Sequence, residues 1–593
     1  MNNTFGLFAS KNMRLCAVAL VGAIALSMTG CPNGTTTTNG TTTTNGTGHE
    51  NASGFVAVTG ITGVPTIATT GTPLPLAGTV APPNATNRTI AWSVQNAGTT
   101  GATIDGNTLT ATTQGTATIR ASITGGASAT TDFTRDFDVT VFMSVPGDSL
   151  ANRLEWLRTN AQSGNQYLIE ITADEDITPD QTALPSGRSD LTVTLMGRDT
   201  RRTVSLSANG SLFTVGSGVT LVLGDNVTLR GRDANDNPML RISDGGILIM
   251  EDGSAVTGNT NTTTVIADRG GGIRVHDDGS FYMRGGDIFG NKFIGASGGG
   301  GVHISNNSSF TMEGGEIFGN EASGSGTGGG VRVDNNSTFI LRDGKISRNK
   351  ASGISPNSVG HGGGVIVHSA SSFTMEGGAI FGNEARGVTG NGGGVCVIYT
   401  GTTFNMKGGE IFGNEANGVF SGGGVKIRWS HATMSDGKIF GNRAIGNDGG
   451  GGVNSRGDFT LSGGEIFDNE AAGDNSGGGV NISSSGIFIM TGGEIFGNEA
   501  TGNDSGGGVH LDASSGWTWL NVPPFRMSNG VIYGTGAEGG RGNTTAGGNG
   551  AALLNNSTLD AEHGTFNNAG EFTPLGTLDT TNYTIHVVNG ELR

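Results

Sequence analysis

Basic side chains recur on a short segment that reads Gly-Gly-Gly-Val in most repeats of this 593-residue chain. The two positions that flank an inward-facing Val or Ile of each segment are Arg, Lys or His in nine of eighteen cases and Asp in only two. On a flat parallel sheet, such outward positions predict a basic ridge that could hold an anionic polymer such as an acidic glycan, although a variable solvated face is the alternative. The basic ridge consists of Arg274, His276, His303, Arg332, His368, Lys426, Arg428, Arg456 and His510.

Carboxylates alternate with basic residues at the position before a Gly-Gly pair. Like charges stacked on neighbouring repeats would repel, so the alternation predicts ion pairs between repeats rather than catalytic carboxylates. The series runs Arg284, Glu313, Arg342, Glu376 and Lys407.

Three loop aspartates, Asp448, Asp474 and Asp504, fall on consecutive repeats. Stacked oxygen ligands could bind Ca²⁺, but the preference of Asn and Asp for turns explains these residues equally well. We therefore expect neither a metal nor a cofactor. Cys396 lies on the ridge and is interpreted as an exposed thiol, since it lacks the context of a nucleophile.

These side chains are carried by a repeat whose marker asparagine, usually in Ile-Phe-Gly-Asn, returns every 27 to 34 residues. A period of this length predicts a stacked solenoid, here with three short strands per turn and glycine turns between them. We expect the asparagines to form an internal ladder in which each amide bonds to the next, at a turn that needs left-handed geometry. They are Asn259, Asn291, Asn320, Asn349, Asn383, Asn414, Asn442, Asn469 and Asn498.

Apolar residues recur in columns along the repeats. The positions of Val302, Phe310 and Ile317 keep their residue type almost throughout, which predicts like side chains stacked inside a parallel coil. A phenylalanine column follows the isoleucine; it either forms an outer apolar stripe that could bind a partner, or is covered by loops or packed inward. Its members are Phe289, Phe318, Phe381, Phe412, Phe440, Phe467 and Phe496.

Three strands per turn with glycine turns resemble the right-handed parallel β-helix of the pectate-lyase-like superfamily, over about residues 245–535. The pairing of Gly-Gly-Gly-Val with Ile-x-Gly-Asn is also similar to the repeats of polymorphic outer-membrane proteins. The first resemblance implies an alternative function, a polysaccharide lyase or glycoside hydrolase acting on an acidic glycan. Asp277-Asp278 and Gly360-His361-Gly362 are superficially similar to hydrolase motifs, but they lie about three turns apart, so we expect no enzyme.

The first 30 residues have the basic start and apolar run of an export signal. Ser-Met-Thr-Gly-Cys at its end resembles the lipobox of bacterial lipoproteins, which implies a lipid on Cys31; ordinary cleavage nearby or an uncleaved anchor is the alternative. Residues 31–53, rich in Thr, Asn and Gly, are expected to form a flexible tether.

Alternating apolar residues around Trp92 predict a β-sandwich over residues 54–144, which resembles bacterial immunoglobulin-like modules of the second group. A short helix within residues 145–164 is expected to cap the solenoid. The β-helix would then occupy residues 165–593 in about 14 turns, with residues 536–593 as its C-terminal cap.

The predicted fold class is therefore all-β. A formal net charge of -17 argues against nucleic-acid binding. Together these features predict an exported protein of the cell envelope, lipid-anchored at the outer membrane or cell surface. Its β-helical rod would serve adhesion, without catalysis, to an acidic polysaccharide or to a host or envelope surface protein.

Overall fold

The structure, a computed structural model, describes residues 54–593 apart from positions 186, 326, 354–360, 390, 513–521, 547–549, 558 and 568–569. The predicted signal peptide, the tether and Cys31 lie outside the described residues. Among the residues that are described, no helix has the length and apolar character needed to cross a membrane.

The first part of the described chain is a small β domain. Its longest strands, Gly115–Ser128 and Thr131–Ser144, pair antiparallel, and Ala91–Asn96 joins the outer side of the first. Trp92 and Ile119 are buried in its core because they alternate with outward polar residues. The other strands are Gly60–Thr62, Ile67–Thr69, Leu74–Pro75, Thr79–Ala81, Thr103–Asp105 and Thr108–Thr110.

One α-helix, Leu150–Asn160, precedes the solenoid. The Ser149 hydroxyl accepts a hydrogen bond from the backbone N–H of Asn152, which satisfies a free donor of the first helical turn. Leu154 and Leu157 are fully buried and belong to the same apolar core as the coil that follows. The spacing of these leucines therefore places one helix face against the solenoid interior.

The remainder is a right-handed parallel β-solenoid of about 12 turns. The sequence predicts about 14 turns, two more than this; after Phe566 the strands run antiparallel. Ala561–Phe566 pairs with Phe572–Leu578, and Ile585–Val588 pairs with both Phe525–Ile532 and Glu591–Leu592. Ala561–Phe566 also pairs parallel with Phe525–Ile532, so it continues the coil, and the antiparallel strands after it close the end.

Each regular turn contains four strand positions, not the predicted three. The residue before each marker asparagine has left-handed φ, as at Gly319 with φ of 59°. This turn divides the last of the three strands predicted in each repeat into two. The third and fourth strand columns therefore belong to different sheets.

The first column contains Phe213–Val215, Leu240–Ile242, Ile273–Val275, Val302–Ile304, Val331–Val333, Val365–His368, Val395–Ile398, Val480–Ile482, Val509–Leu511 and Leu553–Asn555. The second contains Gln166–Ile171, Leu191–Gly197, Val219–Leu223, Ile247–Met250, Ser280–Met283, Ser309–Met312, Thr338–Leu341, Ser372–Met375 and Thr403–Met406. Val425–Met434 and Val453–Leu461 run through both columns.

The third column contains Glu175–Ile177, Arg202–Leu206, Val227–Arg230, Ala255–Thr257, Asp287–Phe289, Glu316–Phe318, Lys345–Ser347, Ala379–Phe381, Glu410–Phe412, Lys438–Phe440 and Glu465–Phe467. Ile487–Phe496 and Phe525–Ile532 run through the second and third columns. The fourth contains Thr260–Asn261, Lys292–Ile294, Glu321–Ser323, Lys350–Ser352, Glu384–Arg386, Glu415–Ala416, Arg443–Ala444, Glu470–Ala471, Glu499–Ala500 and Thr544–Thr545.

Identical side chains stack in the interior. Val302 pairs with Val331 and Ile317 with Ile346, and all four are fully buried. The rings of Phe310 and Phe339 lie parallel, with 4.6 Å between centroids. This spacing matches the distance between parallel strands, so each turn repeats the packing of the turn below.

Candidate functional site

The marker asparagines form a continuous buried ladder. The Asn320 amide donates to Asn349 Oδ1 at 3.0 Å, and the backbone N–H of Asn320 donates to the same oxygen. The ladder also includes Asn235 at its start and Asn543 at its end, which the sequence period did not identify. Because it satisfies backbone groups inside the coil, the ladder holds the turns in register and leaves no side chain for a ligand.

The predicted basic ridge does not lie on an open face. Five of its side chains are buried: Arg274, His303, Arg332, Lys426 and His510. They point away from the central core but are covered by a loop layer, the segments that join the fourth column to the next first column. The expectation of an exposed binding ridge is therefore wrong for these five side chains.

Glycine explains how the loop layer covers the ridge. The first Gly of each Gly-Gly-Gly, such as Gly328 and Gly362, bridges to its equivalent in the next turn and forms a backbone column. A Cβ at Gly328 would lie 2.9 Å from Cγ2 of Ile366, an outward residue of the first column. Without side chains, this backbone packs directly on the outward residues and excludes water from them.

The first part of the ridge is held by contacts among its own side chains and Asp334. Arg332 donates to Asp334 Oδ2 through Nε at 3.0 Å and Nη2 at 2.8 Å, and Arg274 Nη1 lies 2.7 Å from His303 Nδ1. Burial would raise the pKa of Asp334, but the positive charge of Arg332 holds it well below its usual range. Burial, with a contribution from Arg274, lowers the pKa of His303 to about 3. These groups stabilise one another and are not available to a ligand.

The middle of the ridge is apolar. Ile366, Cys396 and Ile398 form a separate buried cluster under the loop layer. The expectation of an exposed thiol at Cys396 is wrong, since its side chain is fully buried. Burial raises the pKa of the thiol to about 12, which suppresses its reactivity.

The other ridge residues, His276, His368, Arg428 and Arg456, are partly exposed. They lie at the second outward position of the first column, beside the turn that leads to the second column. The ridge therefore reaches solvent only along this turn.

A polar groove of about 680 Å³ follows the same turn over five successive repeats. Asn335 Nδ2 donates to Asn306 Oδ1 at 3.1 Å, and Asn306 Nδ2 donates to Asp277 Oδ1 at 2.8 Å. We call this the turn groove; it is lined by Asp277, Asn306, Asn307, Asn335, Asn336, Ser369, Ala370 and Thr400. Each central asparagine retains one amide hydrogen and one oxygen lone pair for another partner.

Two exposed aromatic residues continue the turn groove. Tyr399 and Trp429 occupy the turn position that Asn306 and Asn335 occupy in earlier repeats, and they expose 44% and 51% of their surface. Their φ values of 77° and 53° are left-handed, which is unfavourable for such large residues. Sequence reasoning missed this pair; the available signal was two aromatics at a turn position that carries Asp, Asn or Ser in the preceding repeats.

The outer phenylalanines lie half-buried on the outside of the third column. Phe412 stacks between Phe381 and Phe440 with 4.9 Å between centroids and nearly parallel rings. Because the ring faces contact one another, the column exposes mainly ring edges. Ser347 interrupts it and is buried, with its hydroxyl bonded to Glu316.

Alternating charges form ion pairs between turns. Arg342 pairs with Glu313 at 2.7 Å and with Glu376 at 3.4 Å, and Arg284 contacts both Glu251 and Glu313. Lys407 Nζ lies 4.0 Å from Glu376. These half-exposed carboxylates are engaged in cross-turn contacts.

The aspartates considered for Ca²⁺ take part in loop contacts instead. Asp474 Oδ1 accepts from the backbone and side chain of Asn503, and Asp448 and Asp504 have left-handed φ. Across the part of the chain that the structure describes, no three His, Cys, Asp or Glu side chains group closely enough to hold a metal ion.

The two motifs considered for hydrolysis lie in different environments. Asp277 is at the turn groove, whereas His361 is buried in the loop layer, 3.1 Å from the hydroxyl of Thr327. Burial lowers the pKa of His361 to about 4. The chain matches no protein-family model and no curated protein, so the geometry of these surfaces is the basis for inferring function.

Proposed function

We propose that the protein is a lipid-anchored protein of the cell envelope whose solenoid binds an extended glycan along the turn groove, without catalysing a reaction. One observation carries this proposal. A single turn position changes from amide side chains at Asn306 and Asn335 to exposed aromatic rings at Tyr399 and Trp429.

The chemistry of that column suits a carbohydrate. Amide groups can donate to and accept from sugar hydroxyls at once, and aromatic rings provide apolar surface for the C–H face of a sugar. From Asp277 to Trp429 the column spans five turn spacings, about 24 Å at the usual strand separation. This length is sufficient for several sugar units in a row.

The outer phenylalanine column is a weaker candidate for glycan binding. Its rings stack face to face, so a sugar could not lie flat on them. The carboxylates beside Arg342 are held in ion pairs, which favours binding over general acid–base catalysis.

The predicted lipid on Cys31 and the tether over residues 31–53 fit the same role. A long polar spacer would hold the folded part away from the membrane, where it could reach a polymer. Export and lipid attachment would thus present the turn groove to such a polymer.

Glycan-array binding tests the proposal. The substitutions Tyr399→Asn and Trp429→Asn install the residue found at the equivalent turn position, so the backbone conformation is retained. We expect the double variant to bind at least tenfold more weakly than the wild type, and Tyr282→Ala, which removes an exposed ring elsewhere, to bind normally. Equal binding by the double variant, or release of reducing ends from a bound glycan, would contradict the proposal.

A further inference from the structure

A small cavity lies beside the aromatic end of the turn groove. It has a volume of about 110 Å³ and is lined by Thr389, Phe420, Lys426, Arg428 and Arg456. Three of its five lining residues are therefore basic. A water molecule occupies about 30 Å³ of liquid, so the cavity has room for a group of a few atoms but not for a sugar ring.

Among the residues that the structure describes, the three basic groups have no acidic partner at contact distance. None of them takes part in the ion pairs found among the described residues. Lys426 donates to the Asn454 side-chain oxygen, and Arg456 Nε donates to the Ser484 hydroxyl at 2.8 Å. Arg428 Nε is buried and finds no hydrogen-bond partner within the described part of the chain. Asp448 and Asp512 act on Arg456 through electrostatics and raise its pKa, against the larger effect of burial.

Aromatic rings hold the two arginines in place. The Arg428 guanidinium lies 4.1 Å from the Trp429 ring centre, and that of Arg456 lies 4.3 Å from the ring centre of Phe420. Both aromatic residues have left-handed φ, 53° and 59°. Such contacts orient a guanidinium but supply no negative charge.

A cluster of this kind is unfavourable unless an anion joins it. Burial, and then repulsion by Arg456 and Arg428, drives the pKa of Lys426 well below its usual value. Cys396 below it is also buried, with its own pKa raised, so it supplies no charge at neutral pH. A bound anion would accept a hydrogen bond from Nε of Arg428, and its charge would reduce the repulsion among the three basic groups.

From this geometry we infer that the cavity binds a single oxyanion group, a carboxylate, sulfate or phosphate, held by Lys426, Arg428 and Arg456. Lys426 contacts it from the closed end, and the arginines flank the opening. The site is distinct from the turn groove, but Arg428 contacts Trp429, which continues that groove. On the proposed glycan-binding function, an acidic sugar lying on Trp429 could direct its carboxylate into the cavity.

The test uses the full chain and simple anions. Thermal unfolding is followed with sodium sulfate, phosphate or chloride at equal ionic strength, and calorimetry compares glucuronate with glucose. We expect sulfate or phosphate to raise the midpoint by several degrees more than chloride, and glucuronate to bind at least tenfold more tightly than glucose.

Lys426→Met removes the amino group but retains the length of the side chain. This variant should lose the sulfate-specific shift and the preference for glucuronate, whereas Lys438→Met, at an exposed lysine paired with Glu465, should keep both. If Lys426→Met does not fold, Arg456→Gln serves the same purpose. No specific shift with any oxyanion in the wild type, or the same shift in the cavity variants, would overturn the inference.

The sources of the anion are separated by the same measurements. Binding of sulfate without a preference for glucuronate supports a site for a free inorganic ion, and binding of both supports a site for an acidic sugar. Loss of neutral glycan binding in the Tyr399→Asn variant bears only on the turn groove, since Tyr399 does not line the cavity. Failure of the glycan proposal therefore leaves the result for the cavity intact.

Discussion

The side-chain amide of Asn383 donates a hydrogen bond to Oδ1 of Asn414 in the next turn, across 2.9 Å. Asn383 Oδ1 also accepts from the backbone and side chain of Asn349, so one residue joins three consecutive turns. All three asparagines are buried.

Asn383→Ala should therefore destabilise the solenoid strongly. It leaves the backbone N–H of Asn349 and one of the two amide hydrogens of Asn349 without their acceptor, which we expect to cost about 3 kcal/mol. The midpoint of urea unfolding measures the loss. Asn405→Ala, at a half-exposed strand position, is the control and should change the free energy of unfolding by about 0.5 kcal/mol or less. Equal losses would show that the ladder contributes no special stability.

Substitutions at two glycines distinguish the stability cost of backbone strain from that of steric conflict. Gly413 has φ of 59°, and an added Cβ would have no neighbour within 4 Å, so Gly413→Ala should cost about 1 to 2 kcal/mol through conformation alone. At Gly394 a Cβ would lie 2.8 Å from the Gly424 carbonyl oxygen and 3.0 Å from Asn414 Nδ2. Gly394→Ala should cost more, because a buried backbone must move. Thermal denaturation of both variants tests the order, and the reverse order would argue against the close contact between turns.

The two phenylalanine columns should respond differently to truncation. Phe373 is fully buried between Phe339 and Phe404, so Phe373→Ala should cost about 3 to 5 kcal/mol. Phe412 is half-buried on the outside, so Phe412→Ala should cost about 1 to 2 kcal/mol. Urea unfolding compares the two. Similar losses would mean that the outer column is part of the core.

Acid should destabilise the fold before most carboxylates titrate. Burial lowers the pKa of His361 and of His510 to about 4, whereas an unfolded histidine has a pKa near 6.5. Between these values the unfolded chain binds protons that the folded chain does not, so the free energy of unfolding falls as the pH drops from about 6.5 to 4. Unfolding midpoints at pH 7 and pH 4.5 measure this effect.

His510→Gln should reduce that pH dependence, since it removes one of the buried imidazoles. The same change at His431, an exposed residue beside Asp458, is the control and should leave the dependence as in the wild type. An unchanged slope in His510→Gln would show that its protonation is not linked to unfolding.

Cys31→Ser should abolish the predicted lipid attachment. In the native host, the wild type should incorporate a labelled fatty acid and sediment with membranes, whereas the variant should do neither. Cys16→Ser, within the predicted signal peptide, should behave as the wild type. Labelling of the Cys31 variant would refute the assignment.

The interior of the solenoid was predictable because it repeats. Val302, Phe310 and Ile317 recur at one position per turn, and stacking of like side chains follows directly from a parallel coil. The asparagine ladder could be predicted for the same reason. The boundary between the third and fourth columns was not predicted. A single left-handed residue such as Gly319 forms it, within an otherwise continuous run of sequence.

The surface was less predictable. Alternation along the first column correctly placed Lys426 away from the core, but it carries no information about the path of the following loop. The path of the loop depends on backbone contacts, such as the bridge between Gly392 and Gly422. The Gly-Gly-Gly motif alone does not specify these contacts. The role of Trp429 was missed because it departs from the residue types of its own column.

The cross-turn ion pairs also constrain how the coil can change in length. From Glu251 to Lys407 the sign of the charge alternates over six successive turns, with five reversals. Loss of the single turn that carries Arg342 would bring Glu313 next to Glu376, whereas loss of two adjacent turns would keep opposite charges in contact. In this region, duplication or deletion of repeats is therefore subject to a parity rule that favours even numbers of turns.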